Sequence, residues 1–434
     1  MSGIELLYAT ATASMRSLLP LLALGGGKLS RGVSARRGAA GRMAEWASRE
    51  RKADLPLAWF HAPSVGEGLQ ARAVIEALRE RLPKLQIAYT YFSPSAERFA
   101  RSMPADFAGV LPFDAPGPVH RALEVLRCSV LVFTKSEVWP VLTAEAAKRG
   151  IPSALLSATL PPSSGRLSRA GRLLLSPAHR RLSAVGAISE EDAGRYALLG
   201  VPGELRSVMG DSRFDQVLTR AGSTDWSAPP LSLLRADGAL TVVAGSTWPG
   251  DEERLIPAFA TVAGGHPWLR LILAPHEPTP KGLAAAERLL DRSGLSHLRL
   301  SGVEAGAKNG ASVTLVDRVG VLGDLYALAD AAYVGGGFGR RGLHSVLEPA
   351  AFGVPVIFGP RHRNAREAAE LVRAGGGFEV SGGAGLRATL GLLLADARAR
   401  AAAGQAAAGY LQAGAGAAGR GAEIVLRLLA APGG

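Results

Sequence analysis

A single cysteine, Cys128, stands among 434 residues, which excludes an internal disulfide framework and points to a reducing compartment. There is no His-Glu-x-x-His pair, no cysteine cluster and no EF-hand loop. The eight histidines are scattered, so the sequence offers no metal site. Long apolar runs are also lacking: the most apolar stretch, Ile4 to Leu24, is broken by Glu5 and Arg16, whereas a spanning helix wants about 20 apolar residues. Acids are short as well, 37 against 49 lysines and arginines, leaving a net charge of +12. That excess suggests an acidic partner. It gathers beside the N-terminal apolar residues without aromatic interleaving, which argues against nucleic acid. Between Lys28 and Lys52 lie eight basic residues and two acids, Glu45 and Glu50. An apolar helix over 1–27 followed by a basic segment over 28–52 is expected to lie in the interface of an anionic membrane leaflet. A true single span and a cleaved signal peptide are the alternatives.

What is present is a strand-and-helix rhythm. Nearly half the residues are hydrophobic, enough for two or three folded domains. Strand candidates are "LAWFHA", "QIAYTYF", "GVLPF", "SVLVFT", "PSALLSA" and "AVGAIS", mostly separated by helical patterns. The rhythm stops in the Pro/Ser/Gly-rich stretch 219–238 and restarts with "LTVVAGST", "LRLILAP", "VTLVD", "AAYVGGG" and "PVIFG". Alternation of this kind predicts parallel sheets covered on both faces. The expected architecture is α/β, with a doubly wound, Rossmann-like domain over 53–218, a linker over 219–238 and a second such domain over 239–405. A C-terminal helix over 406–434 follows, and a cleft is expected between the domains.

Ligands of such sheets gather where strands end and helices begin. "HAPSVGEG" is such a junction. Ser64-x-x-Glu67 matches a capping box, but Gly66 and Gly68 each cost roughly 1 kcal/mol in a helix and leave room for a ligand to reach Glu67. Glu67 is therefore either a cap or a carboxylate that takes a proton from a hydroxyl. "FTKSEVWP" repeats the arrangement, with Glu137 at the turn and Pro140 opening a helix. Alone, Glu137 reads as a capping or dipole residue; two acids at the ends of parallel strands in one domain are more suggestive. Arg213, in "GDSRFD", is expected in a loop near the cleft or in an ion pair with Asp211 or Asp215. In the second half "GFGRRG" (337–342) satisfies G-x-G-x-x-G. The acid that a dinucleotide's ribose requires after the next strand is replaced by Gly359 and Pro360, so that reading fails. A glycine-rich loop leading to a helix start that receives a phosphate remains, with Ser345-x-x-Glu348 as a second capping box and Glu348 near a sugar.

Taken together, "SVGE", "SEVWP", "ISEEDAGRYALLG", "GDSRFD", "GSTWPGDEE", "DLYALADAAYVGGG" and "LEPAAFGVPVIFGP" resemble, in that order, the Kdo (3-deoxy-D-manno-octulosonic acid) transferases of lipopolysaccharide assembly. The resemblance runs from the N-terminus to about residue 375. It implies a GT-B fold of two domains and transfer of Kdo from CMP-Kdo to a lipid A precursor (lipid IVA). The reaction would take place on the cytoplasmic side of the inner membrane, without metal or other cofactor. By the same resemblance Glu67 is the general base, and Glu137 and Arg213 assist the transition state. Pro275, His276, Val319, Gly320, Val321, Ser345, Val346, Leu347 and Glu348 contact CMP. The sequence departs from the family at four places. Arg213 stands for a lysine, His276 for an arginine and Ser345 for an asparagine, while "SATLPPSS" replaces an Asn-Ala-Arg stretch; Arg361 and Arg363 add positive charge nearby. A GT-B enzyme using another sugar nucleotide and a non-catalytic membrane-surface relative are the alternatives. Retention of Glu67 and Glu137 speaks for the enzyme.

Overall fold

The computed structural model describes residues 3–22, 28–236, 238–266, 268–307 and 310–431, with side chains outside 15–32. The Arg16 interruption and the Lys28 and Arg31 charges thus lie outside the described side chains. The chain forms two compact units, 1–216 with 414–434, and 217–413.

The first unit is built on strands β1 (Leu57–His61), β2 (Gln86–Tyr91), β3 (Phe107–Val110), β4 (Val130–Thr134), β5 (Ser153–Ala158), β6 (Ala184–Ala187) and β7 (Arg206–Val208). They pair in the order β3-β2-β1-β4-β5-β6-β7, every pair parallel. Alternate residues of one strand enter different cores. Leu57 and Trp59 join one with Leu131, Phe133 and Ala122. Ala58 and Phe60 join another with Val130, Val132, Ile75 and, from the end of the chain, Ile424 and Val425. Both faces are buried, which is why these strands read as continuous apolar runs. The C-terminal helix Ala417–Ala430 covers this second face, and Asp215 receives the amides of Gly416 (2.6 Å) and Ala418 (2.8 Å) at its start.

The second unit repeats the plan with β8 (Leu240–Thr247), β9 (Leu269–Pro275), β10 (His297–Arg299), β11 (Val313–Leu315), β12 (Ala331–Val334), β13 (Val356–Phe358) and β14 (Gly377–Glu379), ordered β10-β11-β9-β8-β12-β13-β14. Val242, Ala244, Leu271 and Tyr333 face one core, Val243, Ile272 and Ala332 the other. The stretch 219–238 is not bare linker: the helix Arg213–Gly222 runs into it, and a turn of helix forms at Leu231–Leu234.

Residues Gly3–Leu22 form one helix, and no helix among the described residues is long and apolar enough to cross a membrane. Its first half packs on the first unit. Glu5, 2% exposed, pairs with Arg181, whose second guanidinium nitrogen donates at 3.0 Å. Ala9 enters the core, while Leu6 and Leu7 stay exposed.

Candidate active site

In the first sheet the strand order reverses between β1 and β4, the switch point at which doubly wound sheets bind ligands. Glu67 follows β1 and Glu137 follows β4. Ser64 is extended (φ −129°, ψ 172°) and starts the helix Val65–Arg81. Its amide donates to Glu67 Oε2 at 3.0 Å and its hydroxyl to the same oxygen at 2.5 Å, so the capping geometry is realised and also fixes the carboxylate. The two glycines have different causes. A Cβ on Gly68 would lie 2.5 Å from Phe99 Cε1 and 2.7 Å from the Tyr89 hydroxyl, so close packing requires glycine there. A Cβ on Gly66 would meet nothing within 4 Å, leaving the approach beside Glu67 open. His61, nearest in sequence, is a core residue: burial pushes it down to about 3, against the pull of its hydrogen bond with the Thr90 carbonyl.

Glu137 sits in the turn between β4 and the helix Pro140–Lys148. The turn passes through Lys135 at φ 68°, a left-handed conformation costing a non-glycine residue on the order of 1–2 kcal/mol. The Lys135 amide to Leu156 O (2.8 Å) and the Thr159 amide to Lys135 O (2.9 Å) hold it there. Burial and then the charge of Glu67 raise the Glu137 pKa, while Arg166, 3.8 Å away, and Lys135 pull it back. The structure thus brings the two carboxylates together. Beside Glu137 lies a cavity of about 320 Å³ walled by Tyr8, Trp139, Arg166, Leu175 and His179. Asp114 accepts the Val141 (3.1 Å) and Leu142 (2.8 Å) amides at the helix start and a hydrogen bond from Tyr8, one of the walls. Tyr8, Asp114 and Arg166 escaped sequence reasoning because each is more than 20 residues from Glu137.

Arg213 opens its helix rather than occupying a loop. Its Nε and Nη2 donate to Asp211 Oδ2 at 2.9 and 2.7 Å, the ion pair that its neighbours in sequence allowed. Burial opposes ionisation of Asp211; Arg213, and then the Gln70 amide at 2.9 Å, overcome it and hold the carboxyl below its usual range. Gln70 lies on the same helix as Glu67, so Arg213 is tied to the first carboxylate's helix through Asp211.

The second sheet reverses between β8 and β12, and the ends or loops of β9, β11 and β12 carry the remaining candidates. Ser246, at φ 53°, precedes Trp248, which starts the helix Pro249–Ala263. Asp251 Oδ2 accepts the Trp248 and Gly336 amides, both at 2.9 Å, and the Tyr333 hydroxyl donates to Oδ1 at 2.8 Å. Gly336 is left-handed (φ 97°), and a Cβ there would sit 2.1 Å from Gly342 O. The glycines thus let the loop fold on itself. Asn364 clamps it, accepting from the Leu343 amide (3.0 Å) and donating to its carbonyl (2.8 Å). His276 follows Pro275 at the end of β9, stacks on His344 (4.2 Å) and lies tilted against Trp248 (4.7 Å), and Arg341 lies 4.0 Å above the Trp248 ring. The exposed Val319 and Gly320 (φ 98°) precede Val321 in another loop.

The second capping box does not form. The helix there is only Leu347–Ala351, with Val346 at its N-cap and no side-chain capping bond; Val346 and Leu347 are fully buried and offer a ligand only their backbone. The reason is the apolar demand of this core: burying Val346 and Leu347 sets the start of the helix, and Ser345 falls outside it. Burial raises the Glu348 pKa, which Arg220 lowers and Asp324 raises again. Arg220 Nε donates to Asp324 Oδ1 at 3.2 Å. Sequence reading had no signal for this trio, whose members are 24 or more residues apart.

Comparison with known proteins settles the family. A family model described as 3-deoxy-D-manno-octulosonic-acid transferase (kdotransferase) matches residues 33–216. The 3-deoxy-D-manno-octulosonic acid transferase of Bordetella pertussis is 32% identical over 391 residues, covering 84% of this chain and 86% of that protein. The chain belongs to the Kdo transferase family. The transferase of the same name from Haemophilus influenzae is 29% identical over 331 residues, covering 74% of this chain and 75% of that protein. Among solved structures, Acinetobacter baumannii MurG superposes with a TM-score of 0.53 at 15% identity, covering 86% of this chain and 99% of that one. A Neisseria meningitidis UDP-GlcNAc 2-epimerase bound to UDP-GlcNAc gives 0.59 at 15% identity, over 86% and 98%. At such identities these two show the fold alone, and it is GT-B. This Kdo transferase family member is therefore a glycosyltransferase with a Rossmann-like sheet in each unit. The family model covers the unit holding Glu67, Glu137 and Arg213; the Bordetella alignment, at 84% of the chain, extends into the second.

Proposed function

We propose that the protein transfers Kdo from CMP-Kdo to the lipid A precursor lipid IVA, at the cytoplasmic face of the inner membrane, with Glu67 as general base. The observation that carries this reading is the pairing of Glu67 and Glu137 at the switch point of the first sheet. Two carboxylates whose environments differ can divide acid and base roles. Glu67 takes the proton of the acceptor hydroxyl as its oxygen bonds to the anomeric carbon. The bond from that carbon to the donor phosphate breaks, and its electron pair leaves with CMP. Glu137, raised by burial and by the charge of Glu67, supports the developing oxocarbenium-like centre with Arg166 beside it. Arg213 acts through Asp211 and Gln70, positioning the Glu67 helix.

In the second unit Pro275, His276, Val319 to Val321 and Ser345 to Glu348 receive CMP. The leaving phosphate is met by imidazole and guanidinium groups and by backbone amides, and the reaction needs no resident cofactor. The N-terminal helix, with exposed Leu6 and Leu7, and the basic residues after it engage the anionic leaflet that holds the acceptor. Incubating the full chain with CMP-Kdo and lipid IVA and weighing the lipid tests the reading. A gain of one or more Kdo units is expected; an unchanged lipid mass, with CMP-Kdo intact, overturns it.

A further inference from the structure

We propose that Trp248 fixes the tautomer of His344, keeping it a neutral donor through Nδ1, and leaves His276 as the proton-accepting member of the stacked pair. The indole Nε1–H can only donate, and it lies 3.1 Å from His344 Nε2. Nε2 must therefore accept, which places the single ring proton of His344 on Nδ1. Protonating Nε2 would set one N–H against another. Among the described residues Nδ1 has no protein partner, so its N–H is available to a ligand. Trp248 is itself fixed, because Asp251 holds its amide and Arg341 covers its ring.

The surroundings favour the same assignment. The His276 ring lies 4.2 Å from that of His344 at an interplanar angle of 27°, so both cannot carry a charge cheaply. The charged and titratable groups around the pair are Asp251, Glu277 and Arg341, with Glu277 3.8 Å from Arg341. Burial, then His276, push His344 down to about 4, against Asp251. Burial also lowers His276, but Glu277 raises it before Arg341 lowers it. The donor phosphate would thus meet one uncharged N–H of fixed direction and one imidazole that is charged only at lower pH. The role for the donor rests on this loop cluster receiving CMP-Kdo; the tautomer itself does not.

Histidine ¹⁵N NMR of the full chain tests both parts, with the His344 signals assigned by their loss in His344→Gln. Without ligand, His344 should show the Nδ1–H pattern unchanged from pH 5.5 to 8, while His276 takes up its proton before His344 does as pH falls, below the usual imidazole range. In Trp248→Phe, His344 should lose the pure Nδ1–H pattern as the Nε2–H tautomer appears beside it, while burial keeps the ring neutral. An Nε2–H or titrating His344 in the unmodified protein overturns the clamp whether or not the variant folds. CMP that binds without moving either imidazole's signals instead overturns the placing of the pair in the donor site, and leaves the clamp standing.

Discussion

The two units repeat one sheet plan, each with its own switch point, and equip it for different chemistry. Each places a left-handed non-glycine residue before its site, Lys135 in one and Ser246 in the other. In the first unit a helix start and a turn deliver carboxylates: Glu67, oriented by Ser64, and Glu137, open to a cavity. In the second, Asp251 is engaged by the amides of Trp248 and Gly336, and the loops present imidazoles, a guanidinium and glycine backbone. A fold supplies a place, and the residues at strand ends decide whether that place handles protons or anions. The comparison makes separable claims: damage to the first site should show in turnover, damage to the second in nucleotide affinity.

The largest effect should come from Glu67→Gln. Glutamine still accepts from Ser64 but cannot take a proton, so turnover should fall by roughly 10²–10⁴, with CMP affinity and melting temperature nearly unchanged. Arg341→Ala should do the reverse, weakening CMP about tenfold by removing one partly exposed cation while leaving turnover at saturating donor close to normal. Normal turnover in the first variant would return Glu67 to capping alone.

The next effect concerns the N-terminal helix. The sequence suggests an anchor separable from the catalytic domains, but Glu5 is buried against Arg181 and Tyr8 walls the cavity beside Glu137. Glu5→Gln leaves Arg181 without its charge partner and should cost about 2–4 kcal/mol, read as a lower urea midpoint for the first unit. Removing residues 1–27 should cost at least as much, and an unshifted midpoint would make the helix an appendage after all. Of smaller size, Gly68→Ala should destabilise the same unit by about 1–3 kcal/mol through overpacking against Phe99 and Tyr89. Gly66→Ala, facing open space, should leave stability level or slightly improved yet impair acceptor use. Equal effects of the two on stability would remove the distinction between a packed and an open glycine.

The sheets were legible because both faces are buried, so long central strands such as β1, β4 and β8 announce themselves as apolar runs ending in turn residues. Missed were β7, β10 and β14, at sheet edges and mostly half-buried or exposed; β11 and β13 are equally short but fully buried, and so read as apolar. Glu67 and Glu137 were legible because each lies within a few residues of a strand end. Arg166 and Tyr8 were not, since only the tertiary fold carries them to Glu137. Local spacing misled at Ser345, where core burial of Val346 and Leu347 overrode a capping pattern. The return of 417–430 to the first unit had no local signal: its apolar stripe says that it is covered, not by what.

The smallest expected effect concerns Asp114, which holds the start of the helix Pro140–Lys148. Burial raises Asp114 to about 6, although the amides of Val141 and Leu142 and the Tyr8 hydroxyl favour its charge; unfolded, it titrates near 3.9. Between those values the folded chain holds a proton that the unfolded chain does not, so the Asp114 contribution to stability rises as pH falls through 6 and levels off below about 4. From pH 7 to 5 that gain is about 1 kcal/mol. Asp114→Asn has no such proton to bind. The stability of the variant relative to the unmodified protein should therefore be greatest at pH 7 and shrink by about 1 kcal/mol at pH 5. Hydrogen exchange at the β1 and β4 amides reads this in the first unit without interference from the second. A difference that does not move with pH would mean that Asp114 is as well solvated folded as unfolded. In that case Tyr8 would hold no buried hydrogen bond there, and the case for the N-terminal helix as a wall of the site would rest on Glu5 and Arg181 alone.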